Sequence, residues 1–122
     1  MEIGLSHTST LKVEECHLAM NVGSGDLPVL GTPVMMSLME NAAMLAVVAE
    51  LGEDESTVGS QIESSHLHPT APGDTIKATA TLTAVEGRKL TFHIEATDSK
   101  GKIGEGTHTR YIINKTKFLS KL

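Results

Sequence analysis

Tryptophan is absent from this 122-residue chain, and the aromatic residues are one tyrosine and two phenylalanines, Tyr111, Phe92 and Phe118. So few ring faces argue against a platform on which successive bases of a nucleic acid could stack. The formal charge of −5 comes with no basic stripe, which argues against nucleic acid as a partner. Cysteine occurs once, at Cys16, so an internal disulfide is impossible. With no signal-peptide pattern at the N-terminus, the cytoplasm is the expected compartment. Internal repeats and low-complexity runs are also missing, and the length fits a single domain over residues 1–122, large enough to bury a core.

The most informative stretch is TPVMMSLMENAAMLAVVAEL, residues 32–51, followed by Gly52. Thr32 is suited to cap a helix N-terminus, Pro33 to the first helical position, and Gly52 to a left-handed exit. A helix apolar nearly all round is expected to be buried. Its polar residues Ser37, Glu40 and Asn41, at i, i+3 and i+4, are expected to share one face. A carboxylate in such a setting must be hydrogen-bonded, paired or catalytic. The stretch is also about the length that spans a bilayer. Its internal glutamate and asparagine, the opening proline and the lack of a flanking Lys or Arg cluster argue against a membrane span.

Residues 7–17 read as a first strand, and 18–31, with Gly, Asp and Pro, as a loop of the kind that covers a site. Beyond the helix, residues 56–68, 75–85, 89–98 and 102–115 read as strands, separated by Pro72-Gly73-Asp74, Glu86-Gly87-Arg88 and Asp98-Ser99-Lys100-Gly101. Ile76, Ala78, Ala80, Leu82 and Ala84 alternate onto one face, as do Leu90, Phe92, Ile94 and Ala96. A helix of this length spans about 28 Å and ten-residue strands about 33 Å, so the lengths match. The expected fold is α+β: a four-strand antiparallel meander plus the first strand, wrapped round one long helix, which is the hotdog architecture.

Several short motifs then fall into one order: Thr32-Pro33 with Met39-Glu40, Thr57-Val58-Gly59, His66-Leu67 with Pro69, Pro72-Gly73-Asp74, and Gly106-Thr107-His108-Thr109-Arg110. In this order and spacing, over roughly residues 28–118, the chain resembles the fluoroacetyl-CoA thioesterase-like family of hotdog proteins. The resemblance implies hydrolysis of an acyl-CoA to a free acid and CoA, with Thr32, Glu40 and His66 as catalytic residues. It also implies a backbone N–H near Gly59 as an oxyanion donor. No cofactor is expected, CoA being part of the substrate.

Each role has a chemical reason. Glu40 on a dry helix is expected to have a raised pKa and to serve as base or nucleophile. His66 titrates near neutrality and moves protons. Thr32 either hydrogen-bonds the carbonyl or accepts the acyl group, and the helix N-terminus is a second possible source of oxyanion stabilisation. Arg110 is expected either to reach a CoA phosphate, since guanidinium binds phosphate through two bonds, or to be a solvated charge on its strand, and His108 is expected to be structural. Thr32 and Glu40 lie about 12 Å apart along a regular helix. Hotdog domains usually pair with sites between two subunits, so the resemblance implies a homodimer with shared sites, which would resolve that distance.

His66 and His68 on one strand face raise a metal site, which would need His93 or His108 as a third ligand. The expectation is that no metal is bound. The segment 18–31 has no aromatic residue to shape a pocket for a fluorinated acetyl group, so that substrate is not carried over. Two alternatives are a non-catalytic acyl-CoA or small-ligand binding protein and a hotdog dehydratase or hydratase. The latter usually wants a close Asp and His pair, which is not found around Asp26 or Asp74.

Overall fold

The computed structural model describes all 122 residues. Five strands, β1 (Ser6–Lys12), β2 (Glu55–His66), β3 (Thr75–Glu86), β4 (Lys89–Asp98) and β5 (Gly101–Asn114), form one antiparallel sheet in the order β1-β3-β4-β5-β2. The helices are α1 (Ala19–Val22), α2 (Thr32–Val47) and α3 (Lys115–Leu119). This is the hotdog arrangement. The meander is shorter than expected: it runs only through β3, β4 and β5. β2 pairs with β5 instead, from Glu55 opposite Asn114 to His66 opposite Gly104, and closes the far edge.

The alternation in β3 and β4 builds the core. Ile76, Ala78, Ala80, Leu82, Leu90, Phe92, Ile94 and Ala96 are fully buried, facing Met35, Met39, Ala42, Ala43 and Val47 of α2. The small alanines let the helix approach the sheet. The expected inward position of Ala84 is not realised. The register shifts between Leu82 and Ala84, and Val85 packs against the core instead. One extra residue in a strand reverses the facing of everything beyond it.

The long helix also departs from expectation. It is regular to Val47 and tightens into a 3-10 turn over Val48–Glu50, and Gly52 is not among the glycines with left-handed backbone. Thr32–Glu50 is together long and apolar enough to cross a membrane, with a mean hydropathy of 1.4. It nevertheless lies across the sheet with one row of side chains sealed. It is not buried all round: Leu45 and Val48 are exposed, Val34 and Leu38 only half-covered. The chain before it is more structured than a loop. β1 stops at Lys12, a 3-10 turn covers Glu15–His17, and α1 follows. A bridge between Leu18 and Leu30 ties the segment shut.

Candidate active site

Thr32 occupies the first helical position rather than the cap. Gly31 is the N-cap and offers no side chain to it. The Thr32 hydroxyl is thereby released from the backbone, and its Oγ1 lies 2.7 Å from Nδ1 of His66, the last residue of β2. Burial is the main cause that holds the His66 imidazole below its ordinary pKa, so the ring is neutral at neutral pH. Its Nε2 is buried and has no hydrogen-bond partner within the chain. A cavity of about 300 Å³ opens beside this pair, walled by Ala19, Val29, Leu30, Leu67 and Pro69. The segment 18–31, read as a cover from its composition, supplies three of these walls.

Glu40 sits in a second group of residues. Its Oε2 is 3.8 Å from Nη1 of Arg110, and its side chain is 45% exposed in the single chain. The dry interior expected for this carboxylate is therefore not what one chain alone provides. Gly59 makes the close approach possible: a Cβ there would stand 2.9 Å from Glu40 Oε2 and 3.1 Å from the His108 ring. The β2 register shifts between Gly59 and Gln61, placing a bulge beside the carboxylate, and bulges commonly re-aim backbone next to sites.

Arg110 is 6% exposed. Its Nε donates to Thr57 Oγ1 at 2.9 Å and its Nη2 to the Thr57 carbonyl at 2.9 Å. The guanidinium is thus engaged inside the protein and does not stand in solvent, where a phosphate would meet it. His108 completes the chain of bonds. Its Nδ1 lies 2.7 Å from the Gln61 carbonyl, which can only accept, so Nδ1 carries the proton. Nε2 then accepts from Arg110 Nη1 at 3.2 Å. Burial, with the nearby Arg110 charge adding to it, keeps His108 below its ordinary pKa. His108 therefore stays neutral and packs against Phe92, as a structural residue does.

In one chain, then, Thr32 and His66 meet at one end of α2, while Glu40, Gly59 and Arg110 meet about two turns away, about 12 Å along the axis. The cavity beside Thr32 and His66 is lined by none of Glu40, Gly59 and Arg110. Ser37 and Asn41 do not join Glu40. Asn41 Oδ1 accepts from Ser9 Oγ at 2.6 Å, and both Ser37 and Asn41 line a separate cavity of about 500 Å³ on the β1 side. His68 is exposed. The three potential metal ligands within 4.8 Å of one another are His93, Glu95 and Glu105, on the outer face of the sheet, with Lys102 Nζ already 3.0 Å from Glu105. Thr57 enters the sequence reading only as part of the Thr57-Val58-Gly59 motif, with no role of its own; in the fold it holds Arg110 through both side chain and backbone.

Known proteins resemble this chain in sequence and fold. Residues 13–116 match the family model described as fluoroacetyl-CoA-specific thioesterase. The fluoroacetyl-CoA thioesterase of Streptantibioticus cattleyicolor is 39% identical over 94 residues, covering 77% of this chain and 68% of that protein. A mutant of a fluoroacetyl-CoA-specific thioesterase, solved in complex with fluoroacetate and CoA, superposes with a TM-score of 0.90 at 33% identity, over 97% of this chain and 99% of that one. A thioesterase-superfamily protein from Thermus thermophilus gives 0.91 at 26% identity, over 98% and 89% of the two chains. Fold and family match together define a hotdog-fold thioester hydrolase. Within that class, the chain belongs to the fluoroacetyl-CoA-specific thioesterase family.

Proposed function

We propose that this protein hydrolyses a short- or medium-chain acyl-CoA to the free acid and CoA, at two equivalent sites shared across a homodimer. The observation that carries this reading is the 2.7 Å contact between Thr32 Oγ1 and His66 Nδ1. A hydroxyl held against a neutral imidazole is how nucleophiles and proton relays are activated. The thioester carbonyl carbon gains an oxygen and loses the CoA sulfur. His66, neutral at rest, accepts the proton that the attacking water releases and passes that proton to the CoA thiolate, while Glu40 orients the water. Where Glu40 attacks first, the same water opens the acyl-carboxylate anhydride and supplies the same proton. The backbone beside Gly59 lies next to Glu40 Oε2 and suits the developing oxyanion. Thr32 positions the carbonyl or takes the acyl group, and trapping an acyl-threonine by mass spectrometry separates the two.

Three features support sharing between subunits. His66 Nε2 lacks a partner within its chain, the carboxylate is half-exposed, and an edge of β2 and the apolar pair Leu45 and Val48 at the end of the long helix are left uncovered. Such edges and apolar groups are covered by neighbours in stable proteins. Ala19, Val29, Leu30 and Leu67 beside Thr32 suit a small acyl group, with Ser24 and His68 lining the same cavity. No aromatic residue lies in residues 18–31, and Phe92 is in the core, so fluoroacetyl selectivity is not part of the proposal.

A panel of acyl-CoA chain lengths, read by released thiol, tests the function. Turnover that disappears in Glu40→Gln supports it. Tight acyl-CoA binding without hydrolysis by the wild type would favour a binding protein instead. Light scattering that finds a stable, active monomer would refute the shared site.

A further inference from the structure

Since Arg110 is engaged in the interior, the phosphates of an acyl-CoA need cations elsewhere. The chain carries a net charge of −5, yet Arg88, Lys89, Lys115, Lys117 and Lys121, five of its ten basic residues, gather where the β3–β4 turn meets the end of β5. An open cavity of about 300 Å³ lies among them, lined by Arg88, Ile112, Ile113, Asn114, Lys117, Phe118 and Lys121.

The place is built, not frayed. Asn114 Oδ1 accepts from the Lys117 backbone N–H at 2.9 Å, and the Lys115 backbone N–H donates to the Asp54 carbonyl at 2.8 Å. Arg88 Nη1 donates to the Ile112 carbonyl at 3.2 Å, leaving the rest of the fork outward on a side chain 63% exposed. The carboxylates at this end include Glu86, opposite Lys89 at the β3–β4 turn, Glu53 and the C-terminus beside Lys121, together with Asp54 and Glu55, which are engaged. Asp54 accepts the Thr116 hydroxyl. Glu55 accepts the Gly52 N–H and lies 3.9 Å from Arg88. Lys117 and Lys121 pair with no carboxylate of the chain.

The position also fits. Asn114 is four residues along β5 from Arg110, about 13 Å, and Arg110 lies opposite Gly59. The pantetheine arm, about thirteen bonds from sulfur to the first phosphorus, reaches about 15 Å at the extension of a peptide-like chain.

We propose that this cavity is the subsite for the phosphorylated nucleotide end of the substrate. Arg88, Lys117 and Lys121 take its phosphates, and Ile113 and the half-exposed ring of Phe118 face the adenine. The proposal rests on the acyl-CoA reading above and is tested so that the two fail separately. The Lys117→Ala/Lys121→Ala protein and a Lys12→Ala control on the far edge of the sheet are compared with wild type. The substrates are an acyl-CoA and the S-acyl-pantetheine of the same acyl group. The double variant is expected to raise KM for the acyl-CoA about 3- to 10-fold, with kcat unchanged, KM for the acyl-pantetheine unchanged and the control silent. A KM shift that is equal for both substrates, or absent, overturns the subsite. A wild type that hydrolyses neither substrate removes the thioesterase reading alone. Calorimetry with 3′-phosphoadenosine 5′-diphosphate then decides the subsite, which fails where wild type and double variant bind it equally.

Discussion

Arg110 separates a structural reading from a ligand-binding one. Replacing it by alanine strips three buried acceptors, Thr57 Oγ1, the Thr57 carbonyl and His108 Nε2, of their donors. A buried group left unpaired costs about 1–3 kcal/mol. Partial relaxation brings the set to about 3–5 kcal/mol, the range found when a buried charged network loses one member. The Glu40 contact adds little, because that carboxylate is 45% exposed and 3.8 Å away; such pairs contribute about 0–1 kcal/mol. Against a total stability of about 5–15 kcal/mol, Arg110→Ala should lower Tm by about 12–20 °C in a domain of this size. Arg110→Lys should fall between, since an ammonium cannot reproduce the fork. Urea unfolding with an unchanged m-value is the assay. Were the main task of Arg110 to hold a phosphate, Arg110→Ala would unfold within about 1 kcal/mol of wild type and lose CoA affinity instead. That outcome refutes the reasoning.

Other perturbations divide activity from stability in different ways. Glu40→Gln should keep stability within about 1 kcal/mol and lower kcat by about 100-fold or more; full activity in the folded variant removes the carboxylate from the mechanism. Gly59→Ala brings a methyl 2.9 Å from Glu40 Oε2. Because that atom ends a flexible side chain, stability should change by about 1 kcal/mol while turnover collapses, and a variant with normal kcat contradicts this. His66 and His108 both have folded pKa values below the 6.5 of a free imidazole, mainly through burial. Below pH 6.5 the unfolded chain therefore takes up protons that the fold refuses, so stability is full above 6.5 and declines as pH falls towards the folded values. Thermal melts across that range should show the decline, shallower in His108→Gln. With His66 acting as the base, the acidic limb of kcat/KM should lie below pH 6.5; a limb above it would assign the limb to another group.

Periodicity carried most of the fold. Alternating Ile76-Ala78-Ala80-Leu82 and Leu90-Phe92-Ile94-Ala96 identified the buried face, and the apolar run after Thr32 identified the helix that covers it. What escaped depends on contacts distant in sequence. That β2 pairs with β5 and not with β3, its neighbour in sequence, is a long-range pairing that leaves no local signature. The shift after Leu82 is a backbone event among Thr and Ala residues that favour neither facing. Two parts of the site were also misjudged. A threonine before Pro33 reads as a cap, but Gly31 takes that position, and only His66, 34 residues away, shows where the hydroxyl goes. An arginine on a strand reads as solvated. Its parity with His108 and Ile112 does point it inward, yet burial becomes tolerable only through Thr57, 53 residues away.

The separation of Thr32 and His66 from Glu40 along one helix has a genetic consequence under the proposed shared site. A chain carrying Thr32→Ala and a chain carrying Glu40→Gln would each be dead alone. Refolded together, mixed pairs would hold one site with both lesions and one with neither. About a quarter of wild-type turnover should therefore return from random twofold assembly. Complementation of that kind would make this small domain an enzyme whose working unit is not encoded within the reach of any single copy.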